Sequence, residues 1–173
     1  MLSVQACSLP DGALLGAYGR EGAYTDCYTT DISGAVSHPQ YVTAFYTTWV
    51  FKLERVILKW AVSSPSTDTQ AELVAQGAID SFAAWRVERK EDNQLLMCDF
   101  RGRTRSWFMA VPLKSESGAN TRLYFGSAVV PARHPKTGRS ALGWSFRALL
   151  GFHKMYSRLL LQAARSRLEA RRA

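Results

Sequence analysis

From about Leu142 to Arg171 the chain keeps the period of an α-helix, and this stretch restricts what the rest can fold into. Roughly 30 residues at 1.5 Å each give a rod about 45 Å long. Set out at about 100° per residue, Arg147, Lys154, Arg158, Arg165 and Arg172 fall in one narrow stripe. Leu149, Phe152, Tyr156, Leu159, Leu160 and Ala163 fall opposite. So long a helix, apolar along one side, has to lie on another layer of structure.

The earlier sequence supplies that layer. After Gly77 the apolar period changes to two, with strands expected at about Ser81 to Arg89, Leu95 to Arg101, Thr104 to Pro112 and Arg122 to Val130. Their connections, "KEDN", "RGR" and "KSESGAN", are turn-formers, so the strands read as consecutive hairpins in an antiparallel meander. Another strand is expected over "AYTDCYTTDI" (Ala23 to Ile32), with Tyr24, Asp26, Tyr28 and Thr30 on one face. Helix follows from Pro39 to about Trp60, started by Ser37 and broken near "TTWV", where β-branched residues crowd. "SSPST" ends it. A short helix from about Asp68 to Gln76 has Ser66 or Thr67 as its cap and Gly77 as its stop. A loop with Pro131, Pro135 and Gly138 leads to the last helix. Met1 to Gly22, rich in glycine and small residues, reads as a loosely ordered lead-in to a single folded domain over 23–172 of the 173 residues.

Charge separates the chain in two. Residues 133–173 hold ten basic residues against one acid, Glu169, a balance of +9, whereas residues 1–132 hold twelve against thirteen, a balance of −1. The basicity therefore belongs to the last helix and its approach, as a solvated arginine-rich face or as weak contact with an anionic membrane. A nucleic-acid partner is disfavoured, because the body carries no net positive charge and no RNA-binding signature. The apolar region Tyr41 to Val62 is interrupted by Lys52, Glu54, Arg55 and Lys59, too many charges for a transmembrane span. Met1 to Leu15 lacks the pattern of a secretion signal. Cys7, Cys27 and Cys98 are scattered and odd in number, which reads as free thiols in a reducing cytoplasm. His38, His134 and His153 are equally scattered, so neither a metal nor another cofactor is expected.

The order of strand, short helices, antiparallel meander and long closing helix resembles the START-like (SRPBCC, helix-grip) superfamily, which contains polyketide cyclases, lipid carriers and plant hormone receptors. "FAAWRVERKEDNQLLMCD" (Phe82 to Asp99), "TRLYFGSAVVP" (Thr121 to Pro131) and "LLGFHKMYSRLLLQAA" (Leu149 to Ala164) are similar to a bacterial, polyketide-cyclase-like or lipid-transport-like branch of it. The resemblance implies an α+β helix-grip fold, a curved antiparallel sheet wrapped around the C-terminal helix, with two or three short helices after the first strand. It also implies a cavity for an apolar ligand. It implies no reaction, since the superfamily shares no universal catalytic residue.

Candidate site residues come from the strands that face such a cavity and from the helix that roofs it. "CDFRGRTRSW" (Cys98 to Trp107) reads as a hairpin end turning at Arg101–Gly102–Arg103. Alternation puts Arg105, Trp107, Met109 and Val111 on one face and Ser106, Phe108 and Ala110 on the other. If Trp107 faces the cavity, so does Arg105, which then pairs with Asp99 or holds a ligand carboxylate. The plainer reading is a solvated turn with an Asp99–Arg ion pair. His153 and Tyr156, one helical turn apart, are neighbours suited to binding a carbonyl or to acid/base work, or else a core tyrosine beside a bordering histidine. Trp85 and Phe82 on the first meander strand, with Tyr124 and Phe125 on the last, line the concave side or fill the core. Asp26 and Asp31 fall on opposite faces of their strand and share no role. Cys98 has no base in sight and reads as a buried thiol.

Three functions follow. The leading one is binding of a small, largely apolar molecule through Trp85, Arg105, Trp107, Tyr124, His153 and Tyr156, by a protein that is not an enzyme. The second is a cyclase, dehydratase or hydrolase acting on an apolar substrate. The third is an interaction module that uses the basic helix face.

Overall fold

The computed structural model describes residues 4–53, 66–114, 120–130 and 144–172. Seven strands form one sheet: β1 (Gln5–Ala6), β2 (Tyr24–Ser33), β3 (Ser81–Phe82), β4 (Trp85–Glu91), β5 (Gln94–Asp99), β6 (Thr104–Leu113) and β7 (Asn120–Val129). Their spatial order is β1-β2-β7-β6-β5-β4-β3, and every neighbouring pair is antiparallel. The helices are α1 (Gly16–Arg20), α2 (His38–Tyr46), α3 (Asp68–Gln76) and α4 (Trp144–Ala170), with a further helical stretch over 49–53. This is a mixed α+β fold of an antiparallel sheet and a long C-terminal helix. The expected helix end near Trp60, the start of "SSPST", the loop from Pro131 to Gly138, the helix start at Leu142 and the side chains of Arg147, Leu149 and Phe152 lie outside the described residues.

Local chemistry explains the elements. Ser37 caps α2 and Thr67 caps α3, each in a reciprocal box with the glutamine three residues on, Gln40 and Gln70. Gly77 ends α3 in the left-handed conformation, at φ 80°. The break at "TTWV" has a hydroxyl cause beside the β-branching. Thr47 Oγ1 donates to Thr43 O at 2.7 Å and Thr48 Oγ1 to Phe45 O at 2.9 Å, local bonds that bend or end helices.

Two differences from the sequence reading stand out. The strand expected from Ser81 to Arg89 is two strands, β3 and β4, folded back at Ala83–Ala84 so that Phe82 opposes Trp85. Ala83 there has φ 53°, a conformation usually marked by Gly or Asn, so the sequence carries no turn signal. The stretch read as a lead-in contributes β1 and α1, and buries Leu14 and Leu15. Seven strands thus stand where five were legible.

Both faces of the sheet are covered. On one, Tyr41, Phe45 and Tyr46 of α2 pack on Phe108 and Phe125, and Leu160, Leu161, Ala164 and Leu168 of α4 join them. On the other, Leu14 and Leu15 lie with Cys27, Leu96, Trp107, Met109 and Ala128. Gly126 sits between: a Cβ there would meet Leu15 Cδ2 at 2.9 Å and Trp107 Cε3 at 3.0 Å, so only glycine lets the segment approach.

Helix α4 packs chiefly on α2 and β2, with little contact to β7. Its buried residues, Ser157, Leu160, Leu161, Ala164 and Leu168, form a face turned by about one residue position, or about 100°, from the face centred on Tyr156 that the sequence suggested. The basic stripe consequently borders β2 instead of pointing away. Arg158 lies 5.3 Å over the Tyr28 ring, Arg172 donates to the carbonyls of Ser33 and Ala35, and Arg165 pairs with Glu169 at 2.9 Å. No helix among the described residues is long and apolar enough to cross a membrane.

Candidate functional site

A cleft of about 580 Å³ lies between the sheet, the segment after α2 and α4. Phe45, Tyr46, Val50, Phe51, Phe125 and Leu160 make its walls almost wholly apolar. Thr104, Ser106 and Ser127 add hydroxyls from the sheet side, and His153 and Tyr156 reach it from α4. The hydroxyls are placed by register. Asp26 opposes Ser127, which opposes Ser106, so three polar side chains run across β2, β7 and β6 on the face turned to α4.

His153 completes this row. Ser127 Oγ donates to Asp26 Oδ1 at 2.6 Å, and the Ser127 backbone N–H donates to the same oxygen at 3.2 Å. His153 Nε2 lies 2.6 Å from Ser127 Oγ and 3.6 Å from Asp26 Oδ2. Tyr24 OH donates to Asp26 Oδ2 at 3.3 Å. A hydroxyl has one proton to give, and Ser127 gives it to Asp26 Oδ1. Nε2 therefore carries a proton and donates to Ser127 Oγ. Burial, then the Asp26 charge, pushes the Tyr28 phenol up to about 12.

This order is acid–hydroxyl–imidazole. A serine nucleophile needs its imidazole between the acid and the hydroxyl, to take the proton away. Ser127 is only 1% exposed and its proton already has an acceptor, so it links the other two groups and is not an activated nucleophile. Of the three hydrogen-bonded groups His153 is the most open to the cleft, its side chain 29% exposed against 8% for Asp26.

The six sequence candidates divide evenly. Trp85, His153 and Tyr156 line the cleft. Arg105, Trp107 and Tyr124 are turned to the opposite face of the sheet. Trp107 is fully buried there, donating through Nε1 to Gln94 Oε1 at 2.8 Å, with the Tyr124 ring 6.2 Å away. Arg105 pairs with Glu88 at 3.1 Å, not with Asp99, and stacks 4.5 Å over Tyr18. Asp99 instead closes the "RGR" turn, accepting from the backbone N–H groups of Arg103 and Thr104 at 2.7 and 3.1 Å. The alternation along β6 was legible; which of its faces α2 covers was not.

Other candidates fall into place. Phe82 is core, stacked on Phe51, whereas Phe125 does line the cleft. Asp31 is held below the usual carboxylate range by a bidentate bond from Arg122, its cross-strand neighbour, on the face away from Asp26. Burial pushes the Cys98 thiol up, as expected of an inert cysteine. Asp26 and Ser127 were missed as partners of His153. The available signal was a polar residue at an inward position of each strand, between Tyr24 and Tyr28 and after Phe125. Among the described residues no cluster of His, Cys, Asp and Glu offers a metal site. No protein-family model matches the chain, and no curated protein is significantly similar to it.

Proposed function

We propose that the protein binds a small, largely apolar molecule in the cleft between sheet and α4, with the polar end of that molecule directed at His153. The observation that carries this reading is the cleft's composition. Apolar walls of ligand-sized volume with a few convergent polar groups are the usual form of a small-molecule site. The architecture agrees with the START-like resemblance, which implies the same kind of ligand. The helix-grip assignment, the single-domain organisation and the cytoplasmic setting belong to this proposal.

An enzymatic reading has one observation in its favour. The Asp26–Ser127 pair orients His153 through a hydrogen bond to Nε2, as an acid/base catalyst requires. We rank it second because Ser127, the hydroxyl hydrogen-bonded to the imidazole, is buried and gives its proton to Asp26.

Native mass spectrometry of the protein as purified, then of the same sample denatured, tests the first reading. A molecule that leaves on unfolding is the expected result, and its retention should fall in Trp85→Ala and His153→Ala. If occupancy is unchanged in both variants, the cleft is not the site. Turnover of the released molecule, abolished by His153→Ala while binding persists, would move the enzymatic reading to first place.

A further inference from the structure

Among the described residues the exposed large apolar side chains are Trp49, Leu53, Phe100, Met155 and Leu159, and all but Phe100 converge on the lips of the cleft. Trp49 is 69% exposed, Met155 59%, Leu53 58% and Leu159 42%. They stand on two helical elements: Trp49 and Leu53 one turn apart on 49–53, Met155 and Leu159 one turn apart on α4. Isolated exposed apolar residues are ordinary, but four around one opening make a surface.

Cations stand beside them. Lys154 precedes Met155 and Arg158 precedes Leu159; both are exposed, Arg158 with its guanidinium also over the Tyr28 ring. Lys52 precedes Leu53 and is paired with Asp68 at 2.7 Å. Tryptophan, leucine and methionine in front with lysine and arginine alongside is the chemistry of a surface that sits in the headgroup layer of an anionic bilayer.

We infer that the lips formed by Trp49, Leu53, Met155 and Leu159 dock on an anionic lipid surface, with Lys154 and Arg158 facing the headgroups. The docking surface is therefore the mouth of the cleft with Lys154 and Arg158, the stripe residues next to it, and not the far end of the stripe, where Arg165 and Arg172 are engaged within the protein. A second copy of the chain suits this surface less well. Two-fold pairing sets a patch against itself and would bring Lys154 and Arg158 close to their own counterparts. The inference goes beyond the ligand reading and is tested without it, because docking needs no occupant in the cleft.

The experiment is flotation of the full chain with vesicles of phosphatidylcholine alone or of phosphatidylcholine with phosphatidylglycerol. Binding should favour the anionic vesicles and weaken with salt. Loss of one cation, Lys154→Gln or Arg158→Gln, should weaken it about fivefold. Leu53→Asp with Met155→Asp should weaken it roughly tenfold or more, while Phe100→Asp, an equally exposed site elsewhere, should leave it unchanged. Trp49→Phe should keep binding but remove the blue shift of emission on vesicle addition, a readout that survives even if the aspartate variant is unstable. The inference is overturned by absence of binding to anionic vesicles or by binding insensitive to the lips. A dimer in light scattering that the lip substitutions dissolve would also overturn it, by assigning the patch to a second copy.

Discussion

The two faces of the sheet are made by the same strands and differ in how completely they are closed. On the face covered by residues 9–18, Trp107 is fully buried and hydrogen-bonded, Gln94 Oε1 also accepts from Leu14 N–H at 3.0 Å, and Arg105 has its carboxylate. On the face under α2 and α4 the packing opens into a cleft, with Trp85 Nε1 buried there without a hydrogen-bond partner among the described residues and apolar side chains left in water at the mouth. A sheet face closed by a chain segment can satisfy every group it buries. A rod-like helix laid beside a sheet cannot follow its surface everywhere, and the gap it leaves is where we place ligand binding.

The largest effect that would test this comparison is on the closed face. Trp107→Ala should cost about 3–5 kcal/mol in denaturant unfolding. A loss under about 1 kcal/mol would mean that this face is not the rigid one.

The open face has a pH signature. Burial pushes His38, at the start of α2, down to about 4, so it is neutral in the folded protein. The unfolded chain binds the proton near the ordinary value of about 6.5. Stability from this group is therefore full above about pH 6.5 and is lost as pH falls toward 4, by about 3 kcal/mol in all. Melting curves of the wild type and His38→Gln across that window should converge at the acid end. Parallel curves would show that another group governs the acid side.

The smallest effect separates the faces most sharply. Arg105→Ala should cost about 1 kcal/mol, through its ion pair and its stacking on Tyr18. It should leave retention of any copurifying molecule unchanged, where His153→Ala reduces it. A ligand lost with Arg105 would return that residue to the site.

Much of the fold was legible because it depends on neighbours in sequence. The caps at Ser37 and Thr67, the stop at Gly77, the break at Thr47–Thr48 and the alternation along β2 and β6 follow from local sterics and hydrogen bonding. The β3–β4 turn was not legible, because Ala83 adopts a positive φ without a residue that favours it. Nor was the role of residues 5–20, whose apolar side chains find partners only on a finished sheet. Arg105, Trp107 and Tyr124 face away from the cleft for a single reason: a strand's alternation defines two faces without saying which one a helix will cover.

The sequence by itself determined that an antiparallel sheet would meet a long amphipathic helix, and which strand residues travel together. Only the tertiary structure decided the rotation of that helix. Packing between α2 and β2 buries Ser157, Leu161, Ala164 and Leu168, draws Arg158 and Arg172 against β2, and turns Met155 and Leu159 out at the cleft mouth. An apolar moment read from one helix names the side that avoids water on average. The face actually buried is set by the shape of what the helix lies on, and that is a property of contacts far apart in the chain.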